Sequence, residues 1–281
     1  MARMARKTRF LLALLTLVGM TATFVAARGA GASIARAAKQ KPVRTKVVKK
    51  AAKPAPLTGT INISAAASLT ETVTYLAKAF NYLAPGVKIN LNFGGSQALV
   101  SQIEQGAPVD VIATADESSM RKLSTENLLA SDAFLFAHNE LTMMVANGNP
   151  KHIGTLADLG RPDVSISLCA AVVPCGRYGA QILSNAKVNV TPKSLEENVK
   201  GVVTKISVGE VDAGITYVTD AIAAAAQTDS VRIPDESNVI TAYPIAIPRT
   251  VRNDLVSRVF VLFMFSPLAQ DIMQVYGFQR A

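Results

Sequence analysis

The stretch Thr60-Ile61-Asn62-Ile63-Ser64-Ala65-Ala66-Ala67-Ser68-Leu69-Thr70 decides how this chain is read. Thr60–Ser64 is predicted as a strand. Leu69–Leu83 is predicted as a helix, because Leu69, Val73, Leu76 and Phe80 recur on one face. Only small residues and one serine separate the two. In α/β folds, ligands collect beyond the carboxyl ends of strands, where helix starts point backbone N–H groups into a crevice.

Working outward, the same alternation continues. Val87–Phe93 is a strand with apolar residues at period two, and Gln97–Gln105 is a helix ended by Gly106. Strands follow at Val109–Thr114, Leu141–Ala146 and Val164–Leu168, then helices at Tyr178–Ser184 and Val199–Val208. Ala213–Tyr217 is a strand, Ala221–Gln227 an Ala-rich helix, Asn238–Ile247 a strand, and Leu255–Tyr276 is helical with a break near Pro267. Such alternation argues for parallel sheets covered by helices. The junctions Gly94-Gly95-Ser96 and Val173-Pro174-Cys175-Gly176-Arg177-Tyr178 share the character of the Ser64–Thr70 junction. One serine at a helix start is ordinary N-capping. Three such junctions in one chain point to a small-anion binder.

Charge supports that reading and weakens another. The 281-residue chain carries +9 overall, but residues 1–57 hold 13 Lys/Arg and no acid. Residues 58–281 hold 16 Lys/Arg against 20 Asp/Glu, a net of −4. The basicity therefore belongs to the N-terminal segment, and nucleic acid is not expected as a partner. The absence of Trp and an aromatic content of 6% agree.

Arg3, Arg6, Lys7 and Arg9 precede an uncharged run, Phe10–Ala27, followed by small residues. Residues 1–35 read as a secretory signal peptide or a retained signal anchor. Residues 36–57, rich in Lys, Ala and Pro, read as an extended basic linker. In an oxidising compartment the two cysteines, Cys169 and Cys175, are a disulfide candidate; two buried thiols are the alternative. His138 and His152 have no metal-ligand spacing, so no direct cation site is expected.

An enzymatic reading also exists. Gly94-Gly95-Ser96-Gln97-Ala98 approximates the nucleophile elbow of α/β-hydrolases, with Ala98 where that pattern has glycine. An esterase-like hydrolase built on Ser96 would need His138 or His152 as its base.

The ordered series of segments resembles periplasmic molybdate-binding proteins, the receptors of molybdate ABC transporters. It runs from Ala65-Ala66-Ala67-Ser68-Leu69-Thr70 through Asn92–Leu99, Gln102–Asp110, Ala115-Asp116-Glu117 and Val173–Tyr178. Asn198–Gly201, Gly214–Tyr217, Tyr243–Ala246 and Tyr276-Gly277-Phe278 complete it, over about residues 59–279. At Gly94-Gly95, many relatives have small residues with serine.

The resemblance implies a type II periplasmic binding fold: two α/β lobes with a ligand cleft between them. Lobe 1 would comprise 58–141 and 244–281, and lobe 2 would comprise 142–243. The implied oxyanion ligands are Ser68 and Ser96 through hydroxyl and N–H, Cys175 and Val199 through backbone N–H, and Tyr217 through its phenol. It further implies a non-enzymatic, exported and monomeric receptor that hands molybdate or tungstate to a membrane permease, with no cofactor. A receptor for sulfate or another oxyanion is the nearest alternative.

Overall fold

The computed structural model describes residues 55–281. The signal segment and most of the basic linker lie outside the described residues. β1 (Thr58–Ala66) pairs in parallel with β2 (Gly86–Gly94), in a register running from Thr58 opposite Gly86 to Ala66 opposite Gly94. On its other side β1 pairs in parallel with β3 (Val111–Ala113). β9 (Ile240–Ala246) then runs antiparallel to β3.

β4 (Phe134–Ala146) connects two strand groups. Its first half pairs antiparallel with β9, with a register shift between Leu135 and Ala137. Its second half, from Leu141, pairs antiparallel with β7 (Ala213–Tyr217) and β8 (Thr228–Arg232). Beyond β7 lie β5 (Ile166–Cys169) and β6 (Ser194–Glu196), both parallel to their neighbours. The strand order is β2-β1-β3-β9-β4-β7-β5-β6, with β8 on β4. The sheets are therefore mixed. The expected parallel pairing holds for β1 with β2 and β3 and for β5 with β6 and β7, whereas β4, β8 and β9 run antiparallel.

The helices are α1 (Thr70–Leu83), α2 (Ser96–Glu104), α3 (Glu117–Thr125), α4 (Pro174–Asn185), α5 (Val199–Ser207), α6 (Val218–Ala223), α7 (Asp254–Met264) and α8 (Pro267–Val275). Ala67–Leu69 forms a single 3₁₀ turn that runs from β1 into α1. As expected, Val73, Leu76 and Phe80 form the buried face of α1. α4 begins four residues earlier than expected, because Pro174 has the fixed φ that suits a first helical position. α6 begins and ends earlier than the Ala-rich stretch suggests, because the chain turns at Ala224–Gln227 to enter β8.

Sequence reading missed α3, β6, β8 and the first half of β4. α3 buries only Ser119, Met120 and Leu123, and is begun by Asp116, whose carboxylate accepts the Ser119 N–H. β8 is polar and largely exposed, so its only strong signal is pairing with β4.

α7 and α8 meet at a 60° bend, where Ser266 caps the helix that Pro267 begins. Among the described residues no single helix is long and apolar enough to cross a membrane. The bend lets α7 lie on the back of β1. There Phe260 and Phe263 meet Phe80 of α1 edge-on, at centroid distances of 5.2 and 5.4 Å. Edge-to-face pairs add to the burial of the rings themselves. Phe260→Ala is expected to cost about 3–5 kcal/mol, as for large aromatic truncations in a closed core. Urea unfolding should show this as a lower midpoint at unchanged slope; a loss below about 1 kcal/mol would contradict the packing described.

Candidate functional site

Five strand ends face one small pocket. β1 ends at Ala66 and delivers Ser68, and β2 ends at Gly94 and delivers Ser96 at the start of α2. From the second strand group, β5 leads to Cys175 in the first turn of α4, and β6 leads to Val199 at the start of α5. β7 ends at Tyr217. The lining brings together all five residues singled out from the sequence: Ser68, Ser96, Cys175, Val199 and Tyr217. Ala66, Ala67, Gly94, Gly95, Ala115, Val173, Pro174 and Asn198 complete it, around about 220 Å³ of empty space, mouth included.

Nothing in that lining is a lysine, arginine or histidine, and nothing is an acid. Its polarity comes from dipoles. A helix start leaves N–H groups without an acceptor in their own turn, and the aligned peptides give that end partial positive charge. α2, α4 and α5 have no acidic residue in their first turns, whereas α3, α6 and α7 do. At the pocket, α2, α4 and α5 therefore leave their positive ends uncompensated by their own side chains, whereas α6, capped by Tyr217, carries Asp220 in its first turn.

The hydroxyls complete the set. Ser96 Oγ accepts the Ala115 N–H at 3.0 Å, and Ser68 Oγ lies 2.9 Å from Tyr243 Oη. The Tyr217 hydroxyl is buried with no hydrogen-bond partner in the protein. Burial raises its pKa well above the usual tyrosine value, so the phenol keeps its proton at any physiological pH. A buried polar group without a partner costs about 1–3 kcal/mol, and a ligand oxygen in the pocket would satisfy it.

The hydrolase reading finds no base here. No histidine lines the pocket; His138 Nδ1 faces the Arg280 carbonyl, and His152 sits in a turn at φ 51°.

Sequence reasoning missed the charged groups that flank the pocket. Arg177 of α4 pairs with Asp116 at the start of α3, and Asp116 is nearly fully buried. Lys200 of α5 reaches Glu71 of α1 at 2.8 Å and Asp220 of α6 at 2.9 Å. Burial works against the Lys200 ammonium, but Asp220 and Glu71 outweigh it and hold its pKa above the usual lysine value. Both cations come from the second strand group. Glu71 and Asp116 come from the first. Each pair sits beside a pocket residue, Cys175 or Val199, yet the partners lie 61 and 129 residues apart, so no local pattern reveals them.

Cys169 and Cys175 are joined in a disulfide with Cα atoms 5.7 Å apart. It closes the loop that carries Cys175 into the pocket lining. The next residue must be glycine for lack of space: a Cβ on Gly176 would lie 1.9 Å from the Ala170 carbonyl oxygen.

Comparison with known proteins agrees with this architecture. The family model for bacterial extracellular solute-binding proteins matches residues 61–279. The Molybdate-binding protein ModA of Mycobacterium tuberculosis is 35% identical over 220 residues, covering 78% of this chain and 84% of that protein. The periplasmic molybdate-binding protein of Azotobacter vinelandii shares the fold, with a TM-score of 0.71 at 20% identity over 79% of this chain and 99% of that one. The sulfate-binding protein SubI of M. tuberculosis does so with a TM-score of 0.68 at 20% identity, over 79% of this chain and 87% of that one. The chain belongs to the bacterial extracellular solute-binding protein family and has the type II periplasmic binding fold. The resemblance to periplasmic molybdate-binding proteins read from the sequence is borne out, and membership identifies the chain as an exported binding protein.

The disulfide has a measurable share in stability. Closing so short a loop is worth about 2–2.5 kcal/mol in the chain-entropy model. Replacing both cysteines by serine is expected to lower the melting temperature accordingly. Intact mass of exported protein, with and without reductant, should differ by two protons; two alkylatable thiols in the native protein would contradict the bond.

Proposed function

We propose that this solute-binding protein captures molybdate, with tungstate as a near-equal ligand, and delivers it to the membrane permease of an ABC transporter. The observation that carries the reading is the Tyr217 hydroxyl, buried, protonated and unpartnered in a pocket otherwise lined by serine hydroxyls and helix starts. That donor set suits a tetrahedral dianion. Hydroxyls and amides hold the oxygens while helix ends supply partial positive charge, so no salt bridge to the ligand is needed. Molybdenum arrives inside its own shell of oxygens, and the donors address those oxygens. The names of the curated relatives point to the same ligand.

Ser68 and Ser96 contribute hydroxyl and N–H donors from lobe 1, taken as 58–141 with 244–281. Cys175, Val199 and Tyr217 contribute from lobe 2, taken as 142–243. Because the donors are split between lobes, binding and closure are one event. Residues 1–35 serve as the signal peptide or anchor and 36–57 as the basic linker of a monomeric receptor. The family is one of binding proteins, and no catalytic step is assigned to Ser96.

Titration calorimetry with molybdate, tungstate, sulfate and phosphate tests the proposal. Molybdate and tungstate should bind comparably, sulfate much more weakly and phosphate hardly at all. Ser68→Ala and Ser96→Ala should each weaken molybdate about tenfold or more, since hydrogen bonds to a charged group are worth about 1.5–3 kcal/mol. Sulfate matching molybdate would transfer the assignment to a sulfate receptor. No heat from any oxyanion would end it.

A further inference from the structure

We infer that Tyr243, oriented by Asn139, is a positioning residue that fixes Ser68 as a hydrogen donor and so sets the pocket against oxyanions that carry a proton. The inference rests on the reading of the pocket as an oxyanion site and adds to it the device that chooses among oxyanions.

Tyr243 does not line the pocket. It lies on β9, fully buried, with its ring edge-on to Tyr217 at 5.9 Å and to Phe278 at 5.3 Å. Its hydroxyl has two partners. One is Ser68 Oγ at 2.9 Å, and the other is the amide nitrogen of Asn139 at 3.4 Å. The orientation of that amide is fixed from behind. The Glu140 N–H donates to Asn139 Oδ1 at 2.9 Å, so Nδ2 must face Tyr243 and Thr219 Oγ1, the latter at 3.0 Å.

An amide nitrogen can only donate. Among the described residues Ser68 Oγ is the acceptor that meets the Tyr243 hydroxyl at hydrogen-bond distance, with the Tyr217 hydroxyl also close by, and in a dry interior that proton must be used. The chain of donation runs from Asn139 to Tyr243 to Ser68. Ser68 Oγ receives one hydrogen bond from behind and keeps its own proton for the pocket. Ser96 has the same polarity by a different route, since its Oγ accepts the Ala115 N–H.

Molybdate, tungstate and sulfate present only acceptors and fit such a cage. Hydrogen phosphate and hydrogen arsenate bring an O–H that needs an acceptor, and each serine has already given one lone pair to a donor behind it and aims its proton at the pocket before the ligand arrives. Discrimination is therefore built one layer behind the pocket.

The test compares phosphate with molybdate, by calorimetry, in the wild type, Tyr243→Phe and Asn139→Asp. Tyr243→Phe keeps the ring and removes the proton that occupies Ser68. Asn139→Asp offers that proton another acceptor, and serves if the first variant does not fold. In either variant the ratio of phosphate to molybdate affinity should rise about tenfold or more, with sulfate moving alongside molybdate. A purely structural role would weaken all three ligands together; an unchanged ratio, or no gain in phosphate binding, overturns the inference. A wild-type protein that binds none of them overturns the oxyanion reading itself, and that result is seen before any variant is made.

Discussion

A dianion leaves water only if something replaces its hydration shell, and in the proposed site the replacement is made of helix starts rather than charges. That constraint explains much of the architecture. Each strand that reaches the pocket must end there, turn tightly through small residues, and begin a helix or present a phenol. Ala66-Ala67, Gly94-Gly95 and Val173-Pro174 are the turns that let backbone approach so closely. Three of the helix starts at the pocket, those of α2, α4 and α5, carry no acid in their first turns.

The charges that are absent from the lining reappear just outside it. Arg177 with Asp116, and Lys200 with Glu71, join elements of the two strand groups beside the pocket, while Lys200 with Asp220 lies within the second group. Their cations are engaged with carboxylates, so the pocket keeps its neutral character although two bases lie within a turn of it. On the proposed reading the two tasks fall to different chemistry: dipoles address the ligand, and ion pairs join the two strand groups. This division accounts for an anion receptor whose folded part carries a net negative charge.

How much of this was legible in the sequence follows from how local each signal is. Val73, Leu76 and Phe80 announce α1 by spacing alone, and Ala213–Tyr217 announces β7 by continuous β-rich character. The five lining residues could be named because each sits in a short segment that resembles a known family. α3 and β8 escaped because their residues are polar and their order comes from a cap at Asp116 and from pairing with β4. The antiparallel course of β4 and β9 escaped for the same reason: strand direction is decided by where the chain returns, not by side-chain period. Asn139, Tyr243 and the flanking ion pairs carry no spacing signal at all, since their partners lie on other elements.

The disulfide has a consequence in time. The residue proposed to present a backbone donor to the pocket, Cys175, is also one end of the cross-link that closes its loop. In a reducing cytosol that bond would not persist, and the same donor would ride on an unclosed segment. Oxidation comes only after the chain has crossed the membrane. On the proposed reading the pocket is therefore finished last, outside the cytosol, and a chain still inside the cell carries the proposed site in an incomplete form.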